Sequence, residues 1–137
     1  MKEHDLKLRT KRFALDVIKF VEALPKDETS RILGRQLLRS GTSVGANYRA
    51  AKRAKSNADF IHKMGTVEEE ADESGYWLEL LLESNKSPGK LVEPLLNEAN
   101  ELVAITVASI NTARKYSNAE RGSRNAEKNF GQTKPII

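Results

Sequence analysis

Phe60-Ile61-His62-Lys63-Met64-Gly65-Thr66-Val67-Glu68-Glu69-Glu70-Ala71-Asp72-Glu73-Ser74-Gly75-Tyr76-Trp77-Leu78-Glu79-Leu80-Leu81 decides the fold class. Its apolar and small positions, Phe60, Met64, Val67, Ala71, Ser74, Leu78 and Leu81, advance by alternating steps of four and three residues. That step keeps one stripe of an α-helix facing a neighbour, as in the seam of a helical bundle. Ser56 or Asn57 supplies the N-terminal cap, and the pattern fades at Ser84-Asn85. A helix of roughly 29 residues is about 43 Å long, so the bundle it belongs to is elongated.

The same periodicity continues on both sides. Upstream, Leu33, Leu37, Ser40, Val44 and Ala51 share one face of a helix that starts near Asp27 to Ser30 and ends near Ala54. Gly41 and Gly45 lie inside it, each costing about 1 kcal/mol relative to alanine, which points to close approach of a neighbouring helix. Their spacing matches neither a P-loop nor a dinucleotide fingerprint. Before it, Phe13, Val17, Phe20, Val21 and Leu24 mark a helix over about Leu8 to Leu24, and Pro25 punctuates the gap. After Ser87-Pro88-Gly89 a last helix is expected from about Leu91 to Tyr116, with Pro94 in or near its first turn. No segment alternates like a strand. The reading is therefore all-α: an antiparallel up-down-up-down four-helix bundle over residues 1–116. Residues 117–137 turn polar and aperiodic, and a disordered C-terminal tail is expected there.

Composition narrows the function classes. The 137 residues suffice for one domain, and 39% hydrophobic against 31% charged residues argues against wholesale disorder. Without cysteine there are no disulfides, thiolate metal sites or cysteine nucleophiles, which fits a cytoplasmic setting. No apolar run approaches the ~20 residues of a membrane span, and Met1-Lys2-Glu3-His4-Asp5 does not open a signal peptide. The two histidines are His4 and His62, and no Glu-x-x-His, His-Glu-x-x-His or Gly-x-Ser-x-Gly occurs. No nucleophile–base pair assembles, so no catalytic residue, metal or cofactor is expected and the chain reads as non-enzymatic.

Charge is segregated by helix. The net charge of +4 hides a local +7 over residues 29–58, from Arg31, Arg35, Arg39, Arg49, Lys52, Arg53 and Lys55, and a local −7 over residues 59–84. On an ideal unbroken helix, Arg31, Arg35, Arg39, Arg49 and Arg53 fall within an arc of about 80°, nearly opposite the Leu33–Ala51 stripe. Thr42, Ala46 and Ala50 are the small residues between them. Such a row suits phosphate contacts, which give affinity to RNA or DNA without sequence choice. Two plainer readings stand beside it: a solvated face, or arginines paired with the acidic third helix within or between subunits.

The fourth helix is apolar over an arc of about 200°, wider than the stripe of ~100° or more on a surface helix. One flank comprises Leu91, Leu95, Ala99, Leu102, Ser109 and Ala113, and the other Val92, Leu96, Val103, Val107 and Ile110. The second flank is the candidate oligomer interface, because an exposed strip of that size is a liability. Deep burial within the chain's own bundle is the alternative.

Two segments carry a family resemblance. Leu37-Leu38-Arg39-Ser40-Gly41-Thr42-Ser43-Val44-Gly45-Ala46-Asn47-Tyr48-Arg49-Ala50-Ala51 is one, and Ser56-x-x-Asp59-Phe60-Ile61-x-Lys63-Met64 with Glu68-Glu69-x-x-Asp72-Glu73-Ser74-x-x-Trp77-Leu78-Glu79-Leu80 is the other. Over about residues 6–116 the chain resembles the bacterial four-helix-bundle proteins encoded in intervening sequences of 23S ribosomal RNA genes. The resemblance implies a ring-like homopentamer without established enzymatic activity. It extends to the accessory variability protein of diversity-generating retroelements, which implies nucleic acid and a protein such as a reverse transcriptase as partners. This chain departs from the common pattern after Ala46-Asn47, where Tyr48-Arg49-Ala50-Ala51 stands in place of Ile-Ala-Glu-Gly. An acidic residue is lost and an arginine gained.

Overall fold

Polar caps start the two middle helices. In the computed structural model, which describes residues 6–131, the Asp27 carboxylate accepts from the Ser30 backbone N–H at 2.8 Å, and the Ser56 hydroxyl accepts from that of Asp59 at 3.0 Å. Four helices result: α1 (Leu6–Glu22), α2 (Glu28–Lys52), α3 (Asn57–Glu83) and α4 (Gly89–Gly131), with no strand among the described residues. α3 ends in a Schellman turn. Lys86 N–H reaches Leu81 O at 2.9 Å, Asn85 N–H reaches Leu82 O at 3.0 Å, and Asn85 takes the left-handed φ of 61° that closes the turn.

The contacts order the helices up-down-up-down. Val17 and Thr10 of α1 face Gly41 and Gly45 of α2, so rising numbers meet falling ones. Ser40 of α2 meets Ser74 of α3, hydroxyl to hydroxyl at 2.9 Å. At the far end of α3, the Asn57 amide donates to Ala113 O of α4 at 2.7 Å, while Gly75 lies against Leu96. One end of the bundle holds the α1–α2 and α3–α4 links. The other holds the start of α1, the α2–α3 link and the middle of α4.

The expected α3 seam is the core: Met64, Val67, Ala71, Ser74, Leu78 and Leu81 are buried, and Phe60, near the bundle end, is half-buried. Phe13, Val17 and Phe20 of α1 join it, with Leu24 of the α1–α2 link and Leu37, Ser40, Val44 and Ala51 of α2. Each large side chain so buried contributes on the order of 1.5–3 kcal/mol. The helical glycines of α2 act by proximity. A Cβ on Gly41 would sit 3.0 Å from both Val17 methyls, and one on Gly45 would sit 3.3 Å from Thr10 Oγ1.

α4 departs from expectation in three ways. Its buried stripe is Val92, Leu95, Ala99, Leu102, Thr106, Ile110 and Ala113. Val92 and Ile110, expected at an oligomer interface, are therefore core residues of this protomer, at 0% and 6% exposure. The true seam crosses the two sequence flanks, because a heptad-like path admits Thr106 once its hydroxyl bonds Leu102 O at 2.7 Å. Second, Pro94 lies in the second turn of a helix that starts at Gly89. Third, the helix runs past its expected end near Tyr116 to Gly131, and no proline lies between Pro94 and Pro135 to break it. Positions 118–123 are fully on the solvent side, so the helix continues there without a stripe to pack. The remainder of the expected tail, 132–137, lies outside the described residues. No helix among the described residues is long and apolar enough to cross a membrane.

Candidate nucleic-acid interface

α2 is unbroken from Glu28 to Lys52, with Arg53 as its C-cap, so the arginine row lies on one continuous helix. Arg31, Arg35, Arg39, Arg49, Lys52, Arg53 and Lys55 are all exposed. Their electrostatic surroundings differ. Arg31 pairs with Glu28 one turn earlier at 2.6 Å, both side chains well exposed. Arg39 reaches across to α3, bonding Glu73 and approaching Glu70 at 3.3 Å. Glu73 and Glu70 hold the Arg39 guanidinium charged beyond its ordinary range, the Glu73 hydrogen bond leading. Glu73 also accepts from the Trp77 indole N–H at 3.0 Å, which steadies the carboxylate. The pairing of α2 arginines with α3 therefore occurs, at Arg39 alone among the described residues.

Arg35, Arg49, Lys52 and Arg53 meet no carboxylate among the described residues. Arg35 lies toward the α1–α2 link, where it shares a shallow groove with Arg31, Lys26 and the apolar Val21, Leu24 and Leu38. Arg49, Lys52 and Arg53 lie at the opposite end of α2, about 21 to 27 Å away along the helix axis. There they favourably face the negative end of the α2 dipole. Lys7, from the first turn of α1, closes a groove of ≈ 330 Å³ with them over the buried Tyr48. Sequence periodicity did not single out Lys7, since nothing along the chain says that α1 begins beside the end of α2. Lys55 follows in the α2–α3 link, where its backbone N–H donates to Asp59 at 3.2 Å. Asp59 is held below its ordinary carboxylate range by the Lys63 ammonium at 2.7 Å first, then by that N–H.

The row predicted as one stripe is thus two cationic patches separated by the neutralised Arg39. The remaining interface candidates, Leu96, Val103 and Val107, are half-buried; the first two lean on the core, and beside them Ala104 and Ala108 are exposed. No group of three histidines or carboxylates that could hold a metal occurs among the described residues.

Comparison with known proteins places this geometry in a family. A family model described as "23S rRNA-intervening sequence protein" matches residues 2–108. A crystal structure of a protein with unknown function from the S23 ribosomal protein family of Bacteroides thetaiotaomicron is similar, with a TM-score of 0.70 and 35% identity over 77% of this chain and 97% of that one. No curated protein matches the sequence.

Proposed function

The chain belongs to the 23S rRNA-intervening sequence protein family, and from that premise we propose that it is a non-enzymatic, self-associating helical bundle of the cytoplasm that binds RNA or DNA through its phosphates. The carrying observation is that Arg35, Arg49 and Lys52 on α2 and Arg53 at its C-cap stand exposed with no carboxylate among the described residues to neutralise them. Guanidinium and ammonium groups so placed lower the free energy of a polyanion by releasing its counterions. Phosphate contacts carry no sequence information, so affinity gained through them comes without sequence preference. Self-association repeats the patches and turns weak contacts into avidity. Five copies is the subunit number that the family resemblance implies, and Leu96, Val103 and Val107 are the residues left to mediate it.

Fluorescence anisotropy on labelled RNA and DNA tests the binding. Affinity should fall steeply between about 50 and 200 mM salt, and the Arg35/Arg49/Arg53 alanine triple variant should reduce both the affinity and the salt slope, by close to one for each phosphate that the variant no longer neutralises. Binding that is insensitive to salt, or absent at low salt, would refute the reading. The Arg39–Glu73 pair favours a second reading, in which the charged faces of α2 and α3 serve protein partners and nucleic-acid affinity is negligible.

A further inference from the structure

Two grooves meet at the end of the bundle where α1 begins and α2 ends, and they share one residue, Lys52. The first is the cationic groove of Lys7, Arg49, Lys52 and Arg53. The second, ≈ 350 Å³, runs from Lys52 past the α2–α3 link to Asn57, Phe60 and Tyr116. Tyr116 is 60% exposed, although α4 continues beyond it in both directions. Its position is held from the side. The Asn57 amide donates to the Ala113 carbonyl and to the Ser117 hydroxyl, residues that bracket Tyr116 on α4. The ring therefore projects from a helix clamped to the start of α3.

We propose that this end of the bundle binds a single-stranded segment of nucleic acid, with phosphates in the Lys7–Arg49–Lys52–Arg53 groove and an unpaired base stacked on Tyr116. The inference rests on the nucleic-acid reading above and narrows it to unpaired strands. An exposed aromatic face next to a cationic groove is what separates a single strand from a duplex. In a duplex each base is already stacked on its neighbours, whereas an unpaired base has a free π-face. Lys52, bordering both grooves, is placed to hold the phosphate adjoining the stacked base. The first turn of α1 adds the positive end of its dipole beside Lys7. None of the described residues lining the cationic groove is acidic, so a phosphodiester meets no like charge among them.

The test compares a labelled oligouridine of about twelve nucleotides with a duplex of the same length, using the full chain. Tyr116→Ala should weaken single-strand binding about tenfold and leave duplex binding within about twofold. Tyr116→Phe should bind as the parent does. Lys7→Ala should weaken both ligands and reduce the salt slope by about one. Circular dichroism checks that each variant remains folded, which the exposure of both side chains favours. Single-strand affinity unchanged in Tyr116→Ala, or lost equally for strand and duplex, overturns the stacking site while phosphate binding by α2 stands. Failure of the parent protein to bind either ligand at low salt overturns the nucleic-acid reading itself.

Discussion

Gly41 and Gly65 are both interior helical glycines, yet they serve opposite ends. At Gly41 a Cβ would press against Val17 at 3.0 Å, and Val17 is wholly buried and β-branched, so it has no rotamer into which to retreat. At Gly65 a Cβ would meet nothing within 4 Å. Denaturant unfolding should therefore separate the two substitutions. Gly65→Ala is expected to stabilise by about 0.5–1 kcal/mol, the propensity gain alone. Gly41→Ala should destabilise by about 1–3 kcal/mol because overpacking outweighs that gain. Equal stabilisation by both would show that α1 does not press on α2 as described. The sequence flagged Gly41 and Gly45 as needing a close neighbour, which is a statement about cost. Only the packing says that the neighbour is α1.

At the scale of the helix, the start of α2 makes stability depend on pH. Asp27 accepts from the Ser30 backbone N–H, which leads in holding its carboxyl below the ordinary aspartate range, with the Ser30 hydroxyl and Lys86 adding to it. A folded pKa below the unfolded one means that the stabilisation is complete above the unfolded value, about 4, and is lost as pH falls through the folded value. Unfolding free energy should therefore decline below about pH 4. Asp27→Ser, which caps without titrating, should flatten that decline; an equally steep decline in the variant would remove Asp27 as its source. The cap was legible because polar residues precede an apolar period. The fate of the arginine row was not. Arc and phase place Arg39 with Arg35 and Arg53, but whether a cation is free depends on the carboxylates of the next helix, and α3 happens to bring Glu73 to Arg39 only.

For the molecule as a whole, the proposed self-association is tested at the outer face of α4. Val107 is half-buried on a face where Ala104 and Ala108 are exposed, whereas Val92 is sealed in the core. Light scattering should find that Val107→Asp lowers the particle mass toward the 15.3 kDa of one chain while thermal unfolding shifts little, and that Val92→Asp instead unfolds the protein. A Val107→Asp particle that keeps the parent mass at every concentration would remove this face from the assembly. Four helices, the caps of α2 and α3 and the opposed charges of those helices all follow from the order of residues. Apolar period, capping chemistry and net charge are local properties that neighbours do not alter. Which flank of α4 is core, which arginine is neutralised, and how Lys7, Lys52 and Tyr116 come to share one end of the bundle were settled by packing alone. Those facts are distances between helices far apart in the chain, and they arise only once each helix has turned its apolar face inward.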